Sequence, residues 1–352
     1  MKYPLKVLIT GGREIGGVQS FAEGLRAGFT EIGIPAELIS PSQLFGRWCD
    51  LRDPRILKIL STTAIYAAPF ARRSICMAHG VPRADSQGWL RMTAIIASHK
   101  LANLFKGVQV VAVSQYTAAT LRSVFNTKCD AVILNPLKPL YLEPDCEPIR
   151  TRHYVTYIGR LIAAKNIHRL LPAIRDLLDE NPGLQACIIG DGNMRERLES
   201  MVAGDTRFEF RRTSDDACVR ECLRHTKVFV SGNEVEGFGI TYLEAMSQGC
   251  AVAMPASGGG LEIALGRVGR SVQLLPLSWD RNDILATLRR AMSEPCEPIA
   301  TTQFTARFVA DSYLQVDAGF SSDGRVRQRS PAINDPIAPA AEFQGSRSGI
   351  DG

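Results

Sequence analysis

The sequence predicts an α/β protein with two Rossmann-like, doubly wound parallel-sheet domains. Short apolar runs rich in β-branched residues alternate with segments of helical periodicity along most of the chain. A segment with recurring prolines and charges, 135–150, interrupts the alternation and predicts an interdomain linker. The alternation resumes at Tyr154, and 352 residues suffice for two domains of ordinary size. We therefore expect domains at 1–137 and 138–302.

In the first domain, buried strands and connecting helices should alternate. Strands are predicted at 5–10, 36–39, 74–78, 108–113 and 131–134, and helices at 18–29, 54–70, 89–105 and 115–125. Ser114 should cap the last helix. Gly16 and Gly17 close a glycine-rich turn before the first helix, where free N–H groups can receive phosphate. The turn matches neither Gly-x-Gly-x-x-Gly nor a P-loop, and a plain βα turn is the alternative.

Basic residues outnumber acidic ones about two to one in the first domain. This balance suggests an anionic partner, such as a membrane surface or a phosphorylated acceptor, although a solvated basic face is equally compatible. The predicted helix 54–70 is apolar and has basic residues within it and at both ends: Arg52, Arg55, Lys58, Arg72 and Arg73. It could pack on the sheet as a crossover helix, the simpler interpretation, or lie on anionic lipid.

Residues 228–262 form the most informative unit of the second domain. A strand at 228–230 precedes a loop with Glu236 and Gly237-Phe238-Gly239. A helix should follow at about 240–248 and end at Gly249, before a strand at 250–254 and a glycine loop. The Glu236-x7-Glu244 spacing places one carboxylate in the loop and the other about a turn into the helix. Free amides of the loop and the helix dipole favour a bound anion.

Further motifs belong to the same unit, namely Leu-Glu-Ala-Met at 243–246, Gln-Gly-Cys-Ala-Val at 248–252 and Gly-Gly-x-Leu-Glu at 258–262. Together with Glu-x7-Glu, they resemble the retaining, nucleotide-sugar-dependent glycosyltransferases of the two-domain GT-B type, family 4. The resemblance implies two domains facing a cleft, with the donor held mainly by the second. It implies transfer of a sugar from a UDP- or GDP-linked donor to an acceptor hydroxyl with retention. Bacterial cell-surface polysaccharide, lipopolysaccharide or glycolipid synthesis is the implied setting.

The resemblance also implies roles for individual residues. Glu236 would position the sugar and Glu244 the ribose, while the Gly-Phe-Gly amides approach the donor. Arg160 and Lys165, after the strand at 154–158, would contact the diphosphate, where fixed positive charge stabilises the leaving group. The implied catalytic residues are Glu236, His79, Arg160 and Lys165. The implied donor-binding residues are Gly16, Gly17, Gly237, Phe238, Gly239, Glu244, Gly258, Gly259 and Glu262.

Two positions in this comparison are less decisive. His79 ends the strand 74–78, where the family often carries a histidine beside the sugar, but a lone histidine is more often structural. After the strand at 208–210, Arg211-Arg212-Thr213 stands where the family often shows a glycine, so the nucleobase pocket is undefined.

Several classes of site are not expected. The chain contains no Asp-x-Asp, so we expect neither a metal-bridged diphosphate nor any cofactor. Nine cysteines lack metal spacing, and Cys218 and Cys222 should pack on one helical face. No apolar run reaches the ~20 residues that span a bilayer, and no signal-peptide pattern opens the sequence. These features predict a cytoplasmic protein, which could sit on the inner membrane face.

The chain should end with a helix at about 303–318 that returns to the first domain, and then a disordered tail, 319–352. The expected partners are a nucleotide sugar and a glycan or lipid-linked acceptor, with no nucleic acid. Two alternatives remain open: a non-hydrolysing sugar-nucleotide epimerase of the same fold, or a non-catalytic module that binds nucleotide sugars or glycans.

Overall fold

The computed structural model describes residues 4–11, 17–83, 88–105, 107–143, 151–213, 215–256, 258–264, 266–295 and 297–323. Within these ranges the chain forms two six-stranded parallel sheets with helices on both faces of each. The predicted fold class is confirmed. The predicted Gly16 and most of the predicted tail, from residue 324 onward, lie outside the described residues.

The first sheet has the strand order β2-β1-β3-β4-β5-β6. Its strands are β1 Lys6–Thr10, β2 Ala36–Ile39, β3 Ile56–Leu60, β4 Ser74–Ala78, β5 Val108–Ala112 and β6 Ala131–Val132. Its helices are α1 Gly17–Glu31, α2 Trp48–Arg52, α3 Trp89–Ala102 and α4 Gln115–Ser123, with 3₁₀ helices at Pro41–Arg47, Thr62–Phe70 and Pro139–Leu142. Ser114 caps α4, because its hydroxyl accepts from the Thr117 N–H at 3.0 Å.

The second sheet has the order β12-β11-β10-β7-β8-β9. Its strands are β7 Tyr154–Ile158, β8 Gln185–Ile189, β9 Phe208–Arg211, β10 Thr226–Val230, β11 Ala251–Pro255 and β12 Val272–Leu275. Its helices are α5 Ile167–Glu180, α6 Arg195–Met201, α7 Asp216–Arg224, α8 Ile240–Ser247, α9 Gly260–Ala264 and α10 Arg281–Ser293, with a 3₁₀ turn at Ala163–Lys165. A 3₁₀ turn at Thr302–Phe304 leads into α11, Ala306–Asp323.

The helix predicted at 54–70 is wrong. Residues Ile56–Leu60 form the buried strand β3, paired with β1 and β4, and only Thr62–Phe70 is helical, as a 3₁₀ helix. The four apolar residues of β3 are buried on both faces of the sheet, which produces a continuous apolar run rather than an alternating one. Lys58 is fully buried and donates to the carbonyl oxygens of Asp53 and Arg72, each at 2.6 Å. It therefore contributes no charge to a membrane-facing helix.

Helix α11 packs on α1, on the face of the first sheet opposite α3. Its Asp317 carboxylate pairs with Arg73 beside β4, with Nε–Oδ1 and Nη2–Oδ2 distances of 2.8 and 2.5 Å. The helix continues to Asp323, five residues into the segment predicted as a disordered tail. In the described part of the chain, no helix is both long and apolar enough to cross a membrane.

Candidate active site

The carboxylate of Glu236 lies in the loop between β10 and α8, at the carboxyl end of the second sheet. Asn233 Nδ2 donates to Oε2 at 2.6 Å, and the Gly237 N–H donates to Oε1 at 3.1 Å. Lys165 Nζ lies 3.5 Å from Oε2. The structure thus brings together two residues that the sequence predicts for one site, 71 positions apart.

Lys165 reaches this position because its loop packs on the loop after β10. Asn166 adopts a left-handed conformation, with φ of 52°, and its side-chain amide donates to the Gly232 carbonyl at 3.1 Å. Arg160, after β7, is exposed, and its side chain makes no hydrogen bond or ion pair with the described residues. Both cations are therefore available at the open side of this loop cluster.

Two buried tyrosines form hydrogen bonds with the loops that follow β7 and β10. The Tyr157 hydroxyl donates to the Arg160 carbonyl at 3.1 Å, and the Tyr242 hydroxyl lies 2.9 Å from Ser231 Oγ. Burial, with the nearby Glu236 charge, raises the pKa of both phenols far above the ordinary value, so both stay neutral. Sequence reasoning missed these tyrosines and Asn233, because a single hydroxyl or amide within a strand, a helix or a loop has no spacing signature.

The Gly-Phe-Gly loop meets the first domain at Gly237. Its carbonyl accepts from Ser114 Oγ at 2.5 Å and from Thr117 Oγ1 at 3.2 Å, both at the N-terminus of α4. A Cβ on Gly237 would lie 2.7 Å from Gly80 Cα, and a Cβ on Gly259 would lie 2.1 Å from the Gly237 carbonyl oxygen. These approaches exclude any larger side chain, and they explain why glycines occur there.

Glu262 also reaches the first domain. Its carboxylate accepts from the backbone N–H groups of Gln115 and Tyr116, the first at 2.8 Å, at the N-terminus of α4. A carboxylate at this helix end satisfies free N–H groups and is stabilised by the helix dipole. In this arrangement of the domains Glu262 caps a helix. Its predicted contact with the donor stays a prediction.

His79 belongs to the first domain and lies where the two domains meet. Its ring packs edge-on against Phe21, with centroids 4.7 Å apart. Its Nε2 is buried and has no hydrogen-bond partner among the described residues. Burial, reinforced by the nearby His99, lowers the pKa of His79 to about 3. The imidazole is therefore neutral near pH 7, and it can exchange hydrogen bonds but carries no charge.

Glu244 is buried on α8, with 5% of its surface exposed. Burial, with a smaller contribution from the Asp216 charge, raises the pKa of its carboxyl group to about 8, and Lys138 opposes this shift. Lys138 itself bridges the domains, because its Nζ lies 2.8 Å from Glu23 on α1 and 2.5 Å from Asp216 on α7. Glu244 is thus close enough to Lys138 and Asp216 to feel both charges.

The remaining predicted donor residues surround the same loops. Gly17 begins α1 next to Ile240, and Phe238 is buried with its ring 6.3 Å from that of Phe304. Gly239 has φ of 92° immediately before α8, and Gly258 packs against the backbone of Glu236. All of these positions border the contact between the two domains.

The region beyond β9 is rich in paired charges. Arg211 forms an ion pair with Glu209, and Arg212 Nε lies 3.3 Å from Asp191 in the turn after β8.

A depression between β7 and α7, lined by His153, Cys222 and His225 among others, contains none of the predicted site residues. Throughout the described ranges, no group of three His, Cys, Asp or Glu side chains has metal-binding geometry.

These features define a class of fold. Two parallel sheets with opposed loop clusters, joined by a linker and a returning helix, form the GT-B arrangement. A solved structure of Anabaena HepE with UDP and glucose superposes with a TM-score of 0.63 at 14% identity, covering 89% of this chain and 95% of that one. WaaG, described as a glycosyltransferase of lipopolysaccharide biosynthesis, gives 0.62 at 14% identity, with 90% and 99% covered. Both are similar in fold.

Residues 146–269 match the family model described as Glycosyl transferases group 1. The GtfA subunit of a UDP-N-acetylglucosamine–peptide N-acetylglucosaminyltransferase from Streptococcus agalactiae is 28% identical over 94 residues, which are 27% of this chain. A GDP-mannose-dependent α-(1-6)-phosphatidylinositol monomannoside mannosyltransferase from Mycolicibacterium smegmatis is 27% identical over 246 residues, which are 63% of this chain. The chain spans 19% and 63% of the length of these two relatives. It has the GT-B fold, and the region that matches the family model lies in its second half.

Proposed function

We propose that the protein is a glycosyltransferase that moves a sugar from a nucleotide-sugar donor to an acceptor hydroxyl. In this reaction the bond from the anomeric carbon to the diphosphate breaks and a bond to the acceptor oxygen forms. The nucleoside diphosphate leaves, and the acceptor proton is released. The main support is the Lys165–Glu236 pair, 3.5 Å apart and next to the Gly-Phe-Gly loop, inside the matched region.

The two cations have complementary tasks in this proposal. Arg160 is exposed and its planar guanidinium can bind two phosphate oxygens, while Lys165 supplies a compact charge. Negative charge grows on the diphosphate as the anomeric bond breaks, so preorganised cations lower the barrier. Glu236, held by Asn233 and the Gly237 N–H, would position the sugar hydroxyls. The neutral His79 would contact the sugar from the first domain.

The finer features of the proposal follow from the resemblance. The anomeric configuration would be retained, as in family 4, and no metal ion would be needed. The donor would be UDP- or GDP-linked, with its ribose on Glu244. The acceptor would be a glycan or a lipid-linked sugar, as in bacterial cell-surface polysaccharide, lipopolysaccharide or glycolipid synthesis. Gly16, Gly17, Gly258, Gly259 and Glu262 would border the donor.

Turnover of a panel of UDP-, GDP- and ADP-sugars tests the proposal. Release of nucleoside diphosphate should depend on, or rise strongly with, a glycan acceptor, and it should persist in EDTA. Isomerised nucleotide sugar formed without acceptor would indicate an epimerase instead. Binding without turnover in every combination would indicate a non-catalytic module. The anomeric configuration of the product, read by NMR, decides between retention and inversion.

A further inference from the structure

The first domain exposes large apolar side chains on one side. Among the described residues, nine of the fourteen exposed large apolar side chains lie on α2, α3 and the segments next to them. We name this set the apolar surface. It consists of Phe45, Trp48, Tyr66, Phe70, Trp89, Leu90, Leu101, Leu104 and Phe105. A concentration of this kind on one face marks an interaction site rather than ordinary scattered exposure.

Part of the apolar surface is built from stacked aromatic rings. Phe45 stacks on Tyr66 with ring centroids 5.5 Å apart, and Trp48 packs against Phe70 at 5.4 Å. The guanidinium of Arg52 lies over the Trp48 ring at 5.4 Å. Rings fixed in this way lose little further freedom on binding. Aromatic and arginine side chains with one apolar and one polar end suit the boundary between lipid tails and headgroups.

Helix α3 supplies the most exposed part. Trp89 and Leu90 are 72% and 89% exposed, and Leu104, just beyond the helix, is 78% exposed. Within α3, His99 and Ala102 are the buried residues. The helix packs beside the 3₁₀ helix Thr62–Phe70, so the exposed side chains of both form one strip.

The strip reaches the cleft. Helix α3 connects the carboxyl end of β4 to the amino end of β5, and β4 ends next to His79 at the cleft. Trp89 and Leu90 at the start of α3 therefore lie at the cleft edge of the sheet, and Leu104 lies at the far edge. A ligand held at this surface would have one end beside the proposed active site.

The charge of this part of the chain is positive. Residues 45–105, which carry the apolar surface, contain nine Lys and Arg, of which Lys58 is buried, against three acidic residues, Asp50, Asp53 and Asp85. Arg72, Arg91 and Lys100 are exposed. Two copies of so basic a surface would repel each other, whereas an anionic bilayer would attract it.

We infer that the apolar surface docks the protein on an anionic lipid bilayer. The aromatic side chains and leucines enter the headgroup region while the arginines and lysines contact lipid phosphates. The inference rests on the proposed function in one respect: membrane docking would present a membrane-borne acceptor at the cleft edge. It places the membrane contact on the apolar surface, whereas the sequence suggested a lipid-facing helix through Lys58, which lies in a buried strand.

Binding to vesicles of phosphatidylcholine, with or without phosphatidylglycerol, tests the inference. The full chain should cosediment with the anionic vesicles, less so at high salt, and weakly with the neutral ones. The double variant Trp89→Ser/Leu90→Ser should bind the anionic vesicles about tenfold more weakly or worse, because two side chains lose their apolar burial. The matched control Phe308→Ser/Leu277→Ser removes exposed apolar side chains elsewhere, 48% and 69% exposed, and should bind as wild type.

Tryptophan fluorescence gives a second measurement, since the chain has three tryptophans. Trp48 and Trp89 lie on the apolar surface, while Trp279 lies in the second domain and donates to Glu234 at 2.7 Å. In Trp279→Phe the emission should shift to the blue on addition of anionic vesicles. In Trp48→Phe/Trp89→Phe it should not shift.

The inference is overturned if neither vesicle binds, or if the Trp89→Ser/Leu90→Ser variant binds as tightly as the control. Self-association that the same variant abolishes would assign the surface to a second copy instead. Calorimetry of nucleotide binding is independent of lipid. A protein that binds UDP or GDP but no vesicle loses this inference and keeps the proposed function. A protein that binds vesicles but no nucleotide keeps this inference and loses the proposed function.

Discussion

Single charged side chains dominate the proposed chemistry, and Arg160 and Lys165 allow the most direct test. Each of Arg160→Ala and Lys165→Ala should lower kcat by about 10²–10³-fold, as loss of one transition-state donor does elsewhere. Both residues lie on loops, so the thermal midpoint should barely change. Arg197→Ala is a suitable control, because it removes an exposed cation from α6 of the same domain. Wild-type turnover in both loop variants would remove these residues from the site.

Glu244 makes nucleotide binding dependent on pH. Its pKa of about 8 in the free protein means that the carboxyl group is mostly protonated at pH 7. Ribose hydroxyls that donate to the carboxylate favour the ionised form, so binding should release a proton and tighten as pH rises from 6.5 to 8.5. Isothermal titration in buffers of different ionisation enthalpy measures that proton. Glu244→Gln should release fewer protons and show a shallower slope, because only the titration of the nucleotide's own phosphate remains. An unchanged slope would contradict the ribose role.

The same residue affects stability with a defined sign. The folded pKa lies above that of an unfolded glutamate, about 4.3. The folded state therefore binds more protons between these values, and stability falls as pH rises through this window. Glu244→Gln, which cannot ionise, should lose less stability between pH 5 and pH 8 than the wild type. Thermal denaturation across that range measures the difference.

At the scale of elements, the N-terminus of α4 joins the two domains. Glu262→Ala removes the carboxylate that accepts from Gln115 and Tyr116, so the domains should be held together less tightly. Small-angle scattering should show a larger radius of gyration, while Glu262→Gln, which keeps one acceptor, should lie between. If Glu262 instead contacts only the donor, the unliganded radius will not change and nucleotide-sugar affinity will fall.

The elements also show what the sequence could predict. The loops that carry Lys165 and Glu236 follow buried strands of one parallel sheet, so their proximity followed from the pattern and the resemblance. The contact of the Glu262 carboxylate with α4 could not be predicted in this way, because it depends on how the domains meet. No local pattern encodes that arrangement. The helix prediction for residues 54–70 failed for a different reason. Lys58 between apolar neighbours resembles an amphipathic helix, yet a lysine can be buried in a strand when backbone carbonyls accept from it.

At the scale of the whole molecule, the packing of α11 on α1 should control stability. A Cβ on Gly28 would lie 2.0 Å from the Ala306 carbonyl oxygen, a backbone atom that cannot move alone. Gly28→Ala should therefore lower the free energy of unfolding by about 1–3 kcal/mol. Gly46→Ala, where nothing lies within 4 Å, is the control. Equal denaturation midpoints for the two variants would show that α11 adjusts without cost.

The Arg73–Asp317 pair also has a consequence for biosynthesis. Helix α11 completes the cover of the sheet face on which α1 packs, and these two residues are 244 positions apart. While the ribosome is still making the second domain, the α1 face with Phe21 and Met77 lacks its final cover. The nascent chain therefore passes through a long interval in which this apolar face needs protection from aggregation. Messages truncated before codon 306 should yield products that depend on chaperones, even though every strand of both sheets has been translated.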